Sequence, residues 1–377
     1  MDNRRILVLG GYGNFGKRIT AILAQNPEIH LVIAGRSREK AGALCRQTRA
    51  RQPNANIESL AIDIHSNQFS AALKAVNPFL VIHTSGPFQG QDYSVPQACI
   101  EAGTHYIDLA DGRRFVCDIE KLSAAAKSNN VLVISGASTV PGLASVVADY
   151  FYAEFSQLDS IDYGISPGNK VNPGVATVGA ILTQAGQPIT CWRDGRWQTL
   201  YGWSDPRCYD FGGPVGKRWL ANIDIPDLEL FPKRYRGVKT IRFQAGHELP
   251  LIHHTLVLMG KFARCGLVNN WARYTRPVYQ LGRLLHVLGT DTGGMFMALR
   301  GKDKNNKYLE IHWTLIAENG VGPNIPVIPA ILVAQKLVDR KIDICGAVPC
   351  LGMFTLEEFT AMVKPYGIYH TTERKSG

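Results

Sequence analysis

The strongest constraint on the fold lies near the start of the chain. A basic lead, Arg4 and Arg5, opens a short apolar run, Ile6 to Leu9, that passes by Gly10 into Gly11-Tyr12-Gly13-Asn14-Phe15-Gly16. A segment with Ile19, Ile22 and Leu23 on one helical face follows. A continuous apolar run is the pattern of a parallel strand buried on both faces. Strand, G-x-G-x-x-G turn and helix together make a phosphate cradle. Gly11 is expected to allow the tight turn, Gly13 to admit backbone close to a pyrophosphate, and Gly16 to let the helix pack on the strand. Asn14 and Phe15 then sit at the helix N-terminus, where unpaired amides and the helix dipole favour an anion. A bare glycine motif is weak evidence. Its position between a strand and a helix gives it weight.

The following residues repeat the pattern. Apolar segments at 29–34, 57–64, 79–83, 105–109 and 131–134 read as strands. Between them, 38–51, 69–76, 95–102 and 115–129 read as helices. Strands alternating with helices predict an α/β fold, a Rossmann-type doubly wound parallel sheet.

In such sheets ligands bind at the carboxyl ends of the strands. The tip of the second strand selects the nucleotide. A carboxylate there reads the free ribose hydroxyls of NAD, but this chain has Gly35-Arg36-Ser37-Arg38 and then Lys40. Arg36 can pair with an adenosine 2′-phosphate and Ser37 can donate to it, so NADP is favoured over NAD. Asp63, near the third tip, is a candidate for the adenine amino group. Ser85, Gly86, Pro87 and Phe88 follow the fourth strand as a rigid turn beside ribose or nicotinamide. Asp108 and Asp111 flank the fifth tip as acid/base candidates, although aspartates there also cap turns.

The second half is α+β in character. Strands are expected at 158–166, 239–245, 295–300 and 308–316. A hairpin at 191–197 has Asp194-Gly195 as its turn. Helices are expected at 173–184, 326–338 and 355–363, the last capped by Thr355 with Glu357 and Glu358 in its first turn. His247, His253, His254 and His312 are possible proton donors, though a lone histidine in an apolar setting more often serves structure. The catalytic candidates are therefore weak, with His254 added to the two aspartates. Hydride transfer asks little of a protein beyond orientation, water exclusion and one proton relay.

The net charge of +10 is unevenly spread. Residues 1–51 hold ten Lys and Arg against three Asp and Glu, around the expected phosphate site. Residues 249–290 hold Lys261, Arg264, Arg273, Arg276 and Arg283 with no acid at all. Phe262, Trp271, Tyr274 and Tyr279 are interleaved, and Leu281, Leu284, Leu285 and Leu288 mark an amphipathic helix. This segment fits a peripheral membrane contact, a dimer interface, a grip on an acidic substrate, or a packed helical hairpin with a solvated basic face. No established nucleic-acid motif is present, so no nucleic-acid partner is expected. No apolar run approaches the ~20 residues of a spanning helix. Eight scattered cysteines without a CxxC suit reduced thiols in a cytoplasmic protein with no metal site.

Over residues 4–150 the chain resembles the saccharopine dehydrogenase-like oxidoreductases. The resemblance rests on Thr84-Ser85-Gly86-Pro87-Phe88 and on the segment from Cys99 through Ala102, Gly103 and Tyr106 to Asp108. It extends to the Ala34-Gly35-Arg36 ending of the second strand and to residues 135–142. The resemblance implies a Rossmann domain over 1–145, an inserted α+β substrate or dimerisation domain over 146–325, and C-terminal helices over 326–377 returning to the first domain. It also implies a homodimer and an NADP-dependent hydride transfer to or from a C=N or C=O carbon of a small molecule. The alternative is a non-catalytic NADP-binding protein using 249–290 as an interaction surface.

Overall fold

A computed structural model describes residues 4–171 and 174–377. They divide into two units, one comprising the chain up to Leu143 with Asn324–Phe354, the other Ala144–Pro323 with Thr355–Gly377.

The first unit opens with β1 (Arg5–Leu9), α1 (Gly16–Leu23), β2 (His30–Gly35), α2 (Arg38–Arg51), β3 (Ile57–Ala61), α3 (Phe69–Val76) and β4 (Leu80–His83). It continues with α4 (Ser94–Glu101), β5 (His105–Asp108), α5 (Arg113–Cys117), α6 (Ser123–Ser128) and β6 (Leu132–Ser135). The strands pair in parallel in the order β3-β2-β1-β4-β5-β6. The chain order reverses between β1 and β4, and a crevice for ligands forms at such a switch point. Leu7, Val32, Val81, Tyr106 and Val133 pack in one core cluster. Each buried aliphatic side chain there contributes about 1.5–3 kcal/mol.

The helix expected over 115–129 is broken. A 3₁₀ stretch, Asp118–Leu122, separates α5 from α6. The third strand stops at Ala61, three residues short of expectation, because Asp63 Oδ1 accepts from the His65 amide at 3.1 Å and turns the backbone away.

The second unit holds α7 (Ala144–Tyr152), β7 (Phe155–Ser166), α8 (Val175–Thr183), β8 (Pro188–Arg193), β9 (Arg196–Tyr201), β10 (Arg207–Asp210) and β11 (Lys217–Asn222). Then come α9 (Asp227–Arg234), β12 (Thr240–His247), α10 (Pro250–Arg264), α11 (Thr275–Leu284), β13 (Gly293–Asp303) and β14 (Tyr308–Ala317). The helix expected from Pro173 has its first residue outside the described residues and begins at Val175. Asp194 and Gly195 both take positive φ between β8 and β9, as a type I′ hairpin turn requires.

The last segment contributes to both units. Helix α12 (Ile328–Val338) and strand β15 (Gly346–Pro349) belong to the first. There β15 adds a parallel edge strand beside β6, and Pro349 is tolerated because an edge strand need not donate on its open side. Helix α13 (Leu356–Val363) and strand β16 (Tyr369–Ser376) belong to the second unit instead of returning to the first. The physical reason is pairing: β16 runs antiparallel to β14 from Ile316↔Tyr369 to Leu309↔Ser376. This completes a seven-stranded sheet ordered β10-β11-β12-β7-β13-β14-β16. Thr355 caps α13 in a capping box with Glu358.

Candidate dinucleotide site

The turn after β1 is built by contact as much as by conformation. Its positive φ falls on Gly10, at +74°, and not on Gly11. A Cβ on Gly10 would also fall 2.7 Å from Ser85 Oγ and 2.8 Å from Thr84 Oγ1. Gly11 lies against β2, where a Cβ would come 2.8 Å from Ile33 Cγ2. Gly16 has the tightest fit, since a Cβ there would lie 2.3 Å from Gly10 O and 2.6 Å from Gly11 Cα. Gly13 donates to Gly10 O at 2.8 Å. Helix α1 therefore starts directly on the strand end, as expected of the third glycine.

No side chain caps α1. Among the described residues, nothing accepts from the Asn14 or Phe15 amides. Arg18 holds the Asn14 carbonyl at 2.7 Å and its side-chain oxygen at 2.8 Å. Unpaired amides at a helix N-terminus, beside glycines that leave room for a ligand, fit a pyrophosphate.

Tyr12, the unspecified position of the motif, extends over the end of β2. Its ring occupies the space a Gly35 Cβ would need, 2.5 Å from Cε1, and its hydroxyl accepts from the Ser37 amide at 2.9 Å. Ser37 is the N-cap of α2, its Oγ accepting from the Lys40 amide at 3.2 Å. Arg36, Arg38 and Lys40 are exposed. Arg36 forms no ion pair among the described residues. Asp63 is exposed at the neighbouring tip of β3.

Beyond β4, Thr84 Oγ1 donates to Leu9 O at 2.8 Å, fastening this tip to that of β1. The Gly86–Pro87 peptide is cis. Gln91 Nε2 spans the turn, donating to Ser85 O at 2.9 Å and Pro87 O at 2.7 Å. Phe88 is buried against His83 and Phe115. Gly86 and Pro87 are exposed and Ser85 half-buried. The turn therefore presents a backbone edge to solvent beside the glycine loop.

The two aspartates differ. Asp108 is fully buried, and its Oδ1 accepts from the Ala110 amide at 2.9 Å, the Gly136 amide at 2.8 Å and Ser135 Oγ at 3.0 Å. Burial pushes its pKa up to about 6, against the pull of these donors. It ties the tips of β5 and β6 together. Beneath it Tyr106 and His83 share a 2.9 Å hydrogen bond, and burial drives the His83 pKa down to about 3. Asp111 is exposed, its Oδ1 accepting from Gln89 Nε2 at 3.0 Å. His254 lies in the second unit, exposed on α10 with its ring edge against Trp219. His312 bonds Glu310 at 2.7 Å.

Gly10, Tyr12 and Gln91 are additions to the residues expected from sequence. Only Gly10 carried a signal, as the first of a glycine pair; the others are ordinary residue types whose value appears in three dimensions.

Sheet order, glycine loop and strand tips together define a Rossmann-type dinucleotide-binding domain. Residues 6–134 match the saccharopine dehydrogenase NADP binding domain. A saccharopine dehydrogenase-like oxidoreductase of Rattus norvegicus is 26% identical over 218 residues, 53% of this chain and 46% of that protein. The chain thus spans about half the length of that relative. Among solved structures, apo saccharopine dehydrogenase (L-Glu forming) from Saccharomyces cerevisiae aligns with a TM-score of 0.70 at 14% identity. That alignment covers 98% of this chain and 99% of the other. At such identity it shows the shared fold.

Proposed function

We propose that the protein is an NADP-dependent oxidoreductase of the saccharopine dehydrogenase-like kind, acting on a C=N or C=O carbon of a small molecule. The observation that carries this reading is the pairing of two features. One is a glycine loop with unpaired amides at Asn14 and Phe15. The other is an exposed Arg36, with no carboxylate at the tip of β2. Gly11, Gly13, Asn14, Phe15 and Gly16 would hold the pyrophosphate, and Arg36 and Ser37 the 2′-phosphate, which favours NADP over NAD. Asp63 would meet the adenine, and Ser85, Gly86, Pro87 and Phe88 the ribose and nicotinamide. NADP, when bound, supplies the hydride or accepts it.

The chain must then orient the substrate and move one proton. Of the acid/base candidates, Asp111 is the exposed one in the first unit, and Gln89 fixes one of its oxygens. We assign it the proton exchange and assign Asp108 the positioning of the loop that carries it. A homodimer working in the cytoplasm belongs to the same reading, and sedimentation analysis tests the dimer. The decisive assay follows NADPH consumption with a panel of imines and keto acids. Turnover of a panel member, reduced at least tenfold by Asp111→Asn, supports the assignment. Saturable NADPH binding without turnover of any panel member favours the alternative, a non-catalytic NADP-binding protein.

A further inference from the structure

The acid-free segment 249–290 has an unusual surface. Helix α11 ends at Leu284 and carries Leu281 three residues before it, while Leu288 lies off the helix, beyond a 3₁₀ turn at Leu285–Val287. The helical pair has the spacing of a stripe that amphipathic helices normally bury. Here that pair faces outward, Leu281 being 62% exposed and Leu284 71%, and Leu288 beyond the helix end is 51% exposed as well. The inner side of α11 is served by Val278, which packs with Trp203, Leu256 and Val257 in the core of the second unit. Helix α10 shows the same inversion, with Leu251, Leu258 and Phe262 exposed along one side while Leu256, Val257 and Met259 face the core.

Cations accompany these apolar side chains. Among the described residues none of Lys261, Arg264, Arg273, Arg276 and Arg283 forms an ion pair. Elsewhere arginines find carboxylates readily, as Arg207 does with Asp162 and Arg234 with Asp149. Exposed leucines in a segment whose cations have no carboxylate partner, Arg264 stacking instead on the Tyr201 ring at 4.0 Å, suit a partner that is apolar inside and anionic at its face.

We propose that α10 and α11 form a peripheral docking surface for an anionic lipid membrane. The leucine stripes and Phe262 enter the headgroup–acyl boundary, and the five cations meet lipid phosphates and carboxylates. A second copy of the chain fits the surface poorly. A two-fold contact places like against like, and this patch would bring ten cations together with no acid of the segment to offset them. A nucleic acid would use the cations but leave the leucines in water. The contact is peripheral, since among the described residues no helix is long and apolar enough to cross a membrane.

The test is flotation of the full chain with vesicles of phosphatidylcholine alone and of equal parts phosphatidylcholine and phosphatidylserine. The protein is expected to float with the mixed vesicles only, and progressively less as salt is raised. Leu281→Asp combined with Leu284→Asp is expected to reduce the bound fraction about tenfold while the thermal midpoint stays that of the parent. Arg276→Gln with Arg283→Gln, a surface change that adds no charge, is expected to weaken binding and flatten its salt dependence. Three results overturn the proposal: no flotation, equal flotation with both vesicle types, or flotation indifferent to both variants. A concentration-dependent dimer that the leucine variant dissociates would also overturn it, by giving the surface to a second copy.

Discussion

The Tyr12 hydroxyl accepts a 2.9 Å hydrogen bond from the Ser37 amide. One side chain thereby links the glycine loop to the residue that follows Arg36, so the proposed pyrophosphate and 2′-phosphate positions share a common contact. Tyr12→Phe removes the acceptor and leaves the ring. The expected result is a loss of about 1 kcal/mol of stability in urea unfolding, together with weaker NADPH binding. Unchanged NADPH affinity would show that the link does not organise the site.

Gly16 has no room for a methyl group, because a Cβ would sit 2.3 Å from Gly10 O. Gly16→Ala must push α1 away from β1. Overpacking of this kind costs about 1–3 kcal/mol, and the displaced amides at Asn14 and Phe15 should lose most of their hold on the cofactor. Calorimetric titration with NADPH and thermal unfolding together check this. Parent-like values in both would contradict the close packing.

Arg36 is the residue assigned to the 2′-phosphate. Arg36→Ala should weaken NADPH at least tenfold, about 1.4 kcal/mol or more, and leave NADH nearly unchanged. An equal loss for both nucleotides would remove the assignment.

The buried pair His83 and Asp108 gives opposing pH effects. His83 has its pKa lowered to about 3. The unfolded chain therefore binds a proton near pH 6.5 that the native chain refuses, and His83's stabilising contribution falls as pH drops through this interval. Asp108 has its pKa raised to about 6. Its contribution is complete below the unfolded value and is lost as pH rises through the folded one, so acidification restores it. Asp108→Asn should make stability fall more steeply between about pH 6 and pH 4. His83→Gln should make it fall less steeply below about pH 6.5. Chemical unfolding at a series of pH values checks both; parallel curves for all three proteins would refute the linkage.

Much of the first unit was legible because a parallel strand buried on both faces leaves continuous apolar writing, as in residues 6–9 and 80–82. Two edge strands, β15 and β16, were not. β16 reads Tyr-His-Thr-Thr-Glu-Arg-Lys-Ser and is mostly exposed, so no burial constrains its pattern. β15 is four residues long and ends in proline. The breaks in 113–128 and at Ala61 depended on local hydrogen bonds that periodicity does not record. At the site, glycine spacing marked the loop, but the positive φ belonged to Gly10, one residue earlier than the motif suggested. Tyr12 and Gln91 act through side-chain reach across the sheet, which spacing along the chain does not encode. The leucines of α11 were visible as amphipathic, but which side of the helix meets the core is decided by Val278 and the residues it packs against, not by spacing.

The central claim is that the glycine loop and Arg36 together select NADP. The most direct measurement is parallel calorimetric titration of the full chain with NADPH and NADH at one ionic strength. The account expects NADPH to bind at least tenfold more tightly, about 1.4 kcal/mol. Equal affinity, tighter NADH, or no binding of either would contradict it.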